Sequence, residues 1–116
     1  IRFNNNKFSD VTITNSQTVG IFMRDSSNNS FTNVHIRNSK EHGIFLAQVD
    51  KEIHTPAAGN TFNSLVISDS GGYGILISDA SCINNLFVAS QYIDNKKGCY
   101  GEAASNLIEG VGAICR

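Results

Sequence analysis

The sequence is poor in proline, which interrupts strands, and lacks the largest side chain: proline occurs once, at Pro56, and tryptophan is absent. Charged residues make up 16% of the chain and hydrophobic residues 41%, with a formal net charge of -1. That apolar content is too high for a disordered chain. The sequence has no block of Lys and Arg that would form a basic patch for binding a nucleic-acid backbone. No apolar run approaches the roughly 18 residues of a membrane span. We therefore expect one folded domain of 116 residues with no nucleic-acid partner and no membrane span.

Motifs for metals and cofactors are also missing. Cys82, Cys99 and Cys115 occur in no CxxC or Cys/His spacing that would indicate zinc. No Asp/Asn-rich calcium loop is present, so no cofactor is evident. Cys99 falls on an inward-facing position, where we expect a buried free thiol; a disulfide between Cys99 and either other cysteine is the alternative.

What the chain does contain is a repeat rich in Asn, Ser and Thr. The segments NKFSDVTITNSQTVGIFMRDSSN, NSFTNVHIRNSKEHGIFLAQ and NTFNSLVISDSGGYGILISDAS, at 6–28, 29–48 and 60–81, are copies of one unit. A weaker fourth copy begins at Asn84, with Leu86 in the place of the repeated Phe and Gly98 in the place of the repeated Gly. The third unit begins eight residues late, after an insertion.

Each copy holds two segments with alternating apolar residues, VxI before an Asn-Ser pair and GIxL after it, which indicates two or three short strands per copy. No segment has a helical period. The repeat predicts an all-β fold, a right-handed single-stranded parallel β-helix of about five coils cut from a longer helix; an open sandwich or a leucine-rich repeat is the alternative. The single domain covers 1–116. Its coils are expected near 1–7, 8–30, 31–59, 60–83 and 84–116, with an insertion loop at 48–59.

Two columns of residues follow from this stacking. Equivalent Ile, Val, Leu and Phe should stack about 4.8 Å apart inside the coils. Asn15, Asn38 and Asp69 should stack at one turn and have a structural role.

The pattern NxFxNVxIxNSxxxGIxL resembles the parallel β-helix repeat of the superfamily of pectate lyases, polygalacturonases, mannuronan C5-epimerases, periplasmic copper-site maturation proteins and phage tailspikes. The resemblance implies a substrate groove along one stacked sheet, bordered by long loops, and calcium assistance in uronate enzymes. The GIxL strand is similar to the epimerase strand that carries a Tyr-Gly-Phe-Asp-Pro-His motif. Tyr73-Gly74-Ile75 matches its start, but Leu76 and Ser78 replace Asp and His, so these coils are expected to flank such a centre rather than form it.

An outward row on the GIxL strands is expected to contain Phe22, Phe45, Leu76 and Tyr100. These side chains would stack on sugar rings, unless a loop or a neighbouring domain covers them. Glu102 is expected to contact substrate beside this row.

A second row, one residue before each Gly, is expected to contain Val19, His42, Tyr73 and Lys97. For a lyase or epimerase, His42 would be the base, Arg24 or Lys97 would neutralise charge, and Tyr73 or Tyr100 would donate a proton. The alternative is that these residues simply begin strands at the solvent edge.

The insertion carries two further candidate substrate contacts, Lys51 and His54, unless it is only a solvated loop. A hydrolase would instead need paired carboxylates, for which Asp25 and Asp79 are the candidates, although Asp in a Ser-rich turn more often bonds local backbone.

These observations predict a segment of a carbohydrate-active protein, secreted or at the cell surface, that acts on or binds a polysaccharide, in the manner of a lyase or epimerase. The alternative is a non-catalytic scaffold or glycan-binding segment of a surface protein, adhesin or tailspike. The expected partners are polysaccharide and flanking coils of the parent chain.

Overall fold

The computed structural model describes residues 4–47, 52, 55–102, 106 and 113–116, with the backbone alone at 102. All regular structure in these residues is β-strand. The strands are β1 Lys7–Thr14, β2 Ile21–Met23, β3 Ser30–Arg37, β4 Ile44–Leu46, β5 Thr61–Ser68, β6 Tyr73–Ile77, β7 Leu86–Val88, β8 Gln91–Ile93, β9 Gly98–Glu102 and β10 Ile114–Cys115.

The strands alternate between two parallel sheets. The long sheet has the order β1-β3-β5-β8-β10, with β7 also paired to β5, and the short sheet has the order β2-β4-β6-β9. A third line of contact joins Asn4, Ser27 and Ala58 through isolated parallel bridges. Each strand therefore pairs with its equivalent one coil later, which confirms the predicted β-helix and excludes a sandwich.

Each long strand bends at one residue that makes no ladder pair. Lys7, Phe8 and Ser9 pair with the next coil, Asp10 is skipped, and pairing resumes at Val11. Asp10 has a φ of 57°, and its equivalents in the next three coils are also left-handed: Asn33, Ser64 and Ala89. The skipped residue shifts the alternation of the strand by one. Phe8 and Val11, which are three residues apart on the two sides of the bend, therefore both face inward.

The fourth copy of the repeat aligns one residue later than the sequence pattern indicated. Phe62 pairs with Phe87, so Leu86 does not occupy the Phe position. Gly98 pairs with Tyr73, so it precedes the Gly position by one residue. A buried Asn85 sets this register, since its side chain must meet Asn60 in the coil below it.

The core is a column of stacked apolar side chains. The rings of Phe8, Phe31, Phe62 and Phe87 stack at centroid distances of 4.9, 4.5 and 4.9 Å. Aliphatic side chains from both sheets fill the rest, and burial of each large side chain stabilises the fold by about 1.5–3 kcal/mol. The fully buried members include Met23, Val34, Ile36, Ile44, Leu46, Leu65, Ile67 and Ile75.

A buried asparagine ladder runs parallel to this core. The Nδ2 of Asn29 donates to Oδ1 of Asn60 at 3.0 Å, and Asn60 donates in the same way to Asn85. Asn6 and Asn106 extend the ladder at its two ends. The predicted stack at Asn15 and Asn38 also forms, at 2.7 Å, but it is exposed.

Cys99 is not a free thiol. It forms a disulfide with Cys115, with Cα atoms 5.9 Å apart, which joins β9 of the short sheet to β10 of the long sheet. The buried free cysteine is Cys82. The expected free thiol at Cys99 was therefore wrong, because the next pass of the chain brings Cys115 back to the same corner.

Candidate functional site

The outer face of the short sheet carries an apolar strip formed by Phe22, Phe45 and Leu76. The three residues pair directly from coil to coil. The rings of Phe22 and Phe45 lie 5.1 Å apart with a tilt of 36°. Phe22 is 36% exposed, and Phe45 and Leu76 are half-buried. The strip forms because the residues on either side of each member face inward, which leaves one large side chain per coil on the surface.

The strip ends at Gly101 rather than at Tyr100. Leu76 pairs with Gly101, and Tyr100 pairs with the inward-facing Ile75. Tyr100 is half-buried and packs against the core, so its expected place in the outward row was wrong. A side chain at Gly101 would begin only 3.1 Å from Leu76 and 3.2 Å from the ring of Tyr73. The missing side chain therefore gives both residues room to lie over the fourth coil.

His42 and Tyr73 extend the strip sideways, towards the start of the strands. The backbone N–H of Tyr73 donates to Nδ1 of His42 at 3.0 Å, and the two rings stack at 5.8 Å. The edge of His42 also meets Phe45 at 5.7 Å. The structure thus brings together His42, Tyr73 and Phe45 as one continuous ring-bearing surface.

Burial lowers the pKa of His42, and the nearby charge of Lys97 lowers it further, while Glu41 opposes both effects. His42 is therefore neutral at neutral pH. Its Nδ1 accepts a hydrogen bond, so the ring proton is on Nε2.

Lys97 lies beside His42, but not in the predicted row. Its backbone N–H donates to the carbonyl of Gly72, whereas Gly98 takes the position opposite Tyr73. The predicted row is therefore Val19, His42 and Tyr73 followed by a glycine. Lys97 still acts on His42 through its charge.

Arg24 lies at the opposite end of the short sheet. Its coil-to-coil neighbour is Ala47, whose N–H donates to Met23, and Val19 is the neighbour of His42. Five residues separate these columns along the chain, or about 16 Å at the rise of a strand. Arg24 therefore does not converge with His42 and Tyr73 on one reacting group. Ala47 itself is buried.

The insertion lies between Ala47, which is opposite Arg24, and Thr55, which is opposite Asp25. After it, Asp25 holds the returning chain: its N–H donates to the carbonyl of Thr55, and its carboxylate accepts from the N–H and the hydroxyl of Thr55. The sequence analysis did not predict that Asp25 anchors Thr55. The signal that could have indicated it is the position of Asp25, which is opposite the end of the insertion. Lys51 and His54 lie outside the described residues, as does the side chain of Glu102, whose backbone pairs with Ile77.

The two aspartates considered for hydrolysis are both engaged in turns. Asp25 binds Thr55, and Asp79 accepts hydrogen bonds from the N–H and the hydroxyl of Ser81. Asp79 therefore bonds within its own Ser-rich turn, as expected, whereas Asp25 bonds a residue of the next coil. Both carboxylates have structural partners, which argues against a catalytic pair. Among the described residues, no three His, Cys, Asp or Glu side chains are placed to hold a metal ion.

Comparison with known proteins agrees with the stacked geometry. Residues 1–111 match the family model of the right-handed β-helix region. The chain belongs to this family. No curated protein and no solved structure matches this β-helix chain. In the described part of the chain, no helix is long and apolar enough to cross a membrane.

Proposed function

We propose that the outer face of the short sheet binds a polysaccharide, as part of a secreted or cell-surface β-helix protein. The observation that carries this proposal is the apolar strip with the rings of His42 and Tyr73 beside it. The exposed ring of Phe22 and the half-buried rings of Phe45, His42 and Tyr73 suit the apolar faces of sugar units, because both surfaces are flat and rigid. A contiguous apolar surface of this kind is seldom left without a binding role.

Binding without turnover fits the geometry better than lyase or epimerase chemistry. A general base needs a free lone pair within reach of the substrate proton. Nδ1 of His42 is occupied by Tyr73, its Nε2 carries the proton, and Arg24 is too distant to neutralise charge at the same point. The favoured function is therefore that of a glycan-binding segment.

The disulfide between Cys99 and Cys115 supports the proposed location, because such bonds persist mainly in oxidising compartments.

The first prediction concerns Phe22, the most exposed member of the strip. Binding of alginate, polygalacturonate and a neutral β-glucan is measured by calorimetry with the full chain, and the most tightly bound glycan is kept. Phe22→Ala should weaken its binding about three- to tenfold, the usual worth of one ring contact. Val66→Ala, on the outer face of the long sheet, is the matched control and should leave the affinity unchanged.

Turnover is followed in the same solutions, by absorbance of unsaturated products and by reducing ends. Binding of none of the three glycans, or equal losses in Phe22→Ala and Val66→Ala, would contradict the proposed site. Release of products would replace the binding function with an enzymatic one.

A further inference from the structure

We propose that His42 contacts the glycan as a neutral hydrogen-bond donor through Nε2–H, and that protonation of Nδ1 weakens glycan binding by releasing His42 from Tyr73. This inference rests on the proposed glycan-binding function, and it assigns to His42 a role different from that of a general base.

The hydrogen bond to Tyr73 fixes the tautomer of His42. A neutral imidazole has one N–H and one acceptor nitrogen. The N–H of Tyr73 points at Nδ1 of His42 from the next coil, at 3.0 Å. A backbone N–H can only donate, so Nδ1 must be the acceptor and Nε2 must be the donor.

The bond between Tyr73 and His42 requires the backbone of Gly72 to lie close to the imidazole. Gly72 is buried beside the imidazole, and a Cβ built on it would lie 2.5 Å from Nδ1 and 2.7 Å from Cε1 of His42. Any side chain at position 72 would therefore displace the ring. Gly72 thus makes room for His42, while the preceding Gly71 makes room for the carbonyl of Lys40.

The imidazole of His42 lies between two aromatic rings at the surface. His42 stacks on Tyr73 and meets the edge of Phe45, so it forms part of the surface proposed to carry the sugar. No hydrogen-bond partner of Nε2 is found in the described part of the chain. A donor between two ring contacts suits a hydroxyl or ring oxygen of a sugar that rests on them.

Acid breaks the hydrogen bond between Tyr73 and His42. Protonation puts a proton on Nδ1, which then faces the N–H of Tyr73 donor to donor, so the ring has to turn away. The charged groups that face His42 are Glu41 on its own turn and Lys97 on the turn of the fourth coil, and the hydroxyl of Tyr73 is the other titratable group beside it. The neighbours Val19 and Phe45 carry no charge.

The direction of the pH effect follows from the lowered pKa of His42. Between the folded value and the ordinary value of about 6.5, the unfolded chain binds more protons than the folded one. The stability that neutral His42 gives the folded chain is therefore fully present above the ordinary pKa. It is lost as the pH falls from the ordinary pKa through the lowered pKa of the folded state, and the hydrogen bond between Tyr73 and His42 is lost with it.

The experiment compares the wild-type chain with His42→Gln and His42→Leu, using the glycan of the three-glycan panel that the wild type binds most tightly. Gln supplies an amide oxygen for Tyr73 and an N–H for the sugar, but it does not titrate. We expect the wild-type affinity to fall as the pH drops below about 6.5, by about tenfold once His42 is protonated. His42→Leu should bind about tenfold more weakly than the wild type at neutral pH. His42→Gln should bind more tightly than His42→Leu and show a flatter pH profile than the wild type.

Two measurements separate this inference from the proposed function. The imidazole nitrogen chemical shifts of His42 report its tautomer without any glycan, and His35→Gln, on the exposed face of the long sheet, is the control for the pH profile. A proton on Nδ1 at neutral pH, or the same pH profile in the wild type and His42→Gln, would overturn the inference while glycan binding stands. Absence of glycan binding with the expected tautomer would overturn the proposed function and, with it, the assigned contact.

Discussion

At the scale of single residues, the richness in Asn and Asp has a backbone cause. Ten of the twelve non-glycine residues with positive φ in the described chain are Asn or Asp, and the others are Ser64 and Ala89. Asn and Asp tolerate the left-handed region better than other side chains with a Cβ. The coil corners and the bend of the long strands both require that region, so these ten Asn and Asp residues serve the backbone geometry. The buried Asn29, Asn60 and Asn85 lack a positive φ and serve the hydrogen-bonded ladder instead.

Ala89 provides a test of this view. It has a φ of 51° at the bend where Asp10 and Asn33 occupy the equivalent positions. Ala89→Asn should raise the free energy of unfolding in urea by about 1 kcal/mol, because Asn is less strained there. Ala80→Asn is the control: Ala80 is also exposed but lacks a positive φ, and its change should stay within about 0.5 kcal/mol. Equal effects at both positions would refute the backbone explanation.

At the scale of elements, two asparagine stacks with the same coil spacing differ in burial. Asn60 is fully buried, accepts from the N–H and Nδ2 of Asn29, and donates to Ser26 and Asn85. Asn38 is exposed and donates to Asn15. Polar groups inside the coils have no water to replace a lost partner, so the buried stack holds adjacent coils in register.

Asn60→Ala should therefore lower the unfolding free energy by about 3 kcal/mol or more, because it leaves several buried donors and acceptors unpaired. Asn38→Gly removes the exposed bond and keeps the left-handed backbone, and should change it by about 0.5 kcal/mol or less. Chemical denaturation of both variants is the measurement. A similar cost for the two would show that burial does not distinguish the stacks.

The elements also show how far sequence alone was informative. The alternation in GIxL predicted the short strands Ile21–Met23 and Ile44–Leu46 and their outward Phe residues. It misplaced Leu86, Gly98 and Tyr100, because an apolar pattern does not reveal that a buried Asn85 sets the fourth register. The contact of His42 with Tyr73 was anticipated as a shared row, but its hydrogen bond was not.

At the scale of the whole molecule, each coil rests mainly on its neighbours, so its stability depends on the contacts between adjacent turns. The disulfide between Cys99 and Cys115 closes a chain separation of 16 residues and ties the last strand of the long sheet to the short sheet. Burial raises the pKa of the Cys82 thiol, which keeps it protonated and poorly reactive.

Reduction should accordingly lower the unfolding free energy by about 3 kcal/mol, the usual effect of releasing a loop of this size. Urea unfolding with and without a phosphine reductant measures the change. Cys82→Ser should keep the sensitivity to reductant, and the double variant Cys99→Ala with Cys115→Ala should lose it. Reductant-insensitive wild-type unfolding would argue against this pairing.

The sequence by itself determined the repeat, the all-β parallel class and the outward Phe22 and Phe45, because side-chain alternation and turn chemistry are local properties of the chain. Only the tertiary structure decided which Asn residues are buried, which cysteines pair, that Arg24 lies far from His42, and that Nδ1 of His42 is occupied. These facts depend on which residues of different coils meet. Strands separated by 23, 31 and 25 residues pair here. A local sequence pattern does not give the last of these offsets, because the fourth copy of the repeat is degenerate.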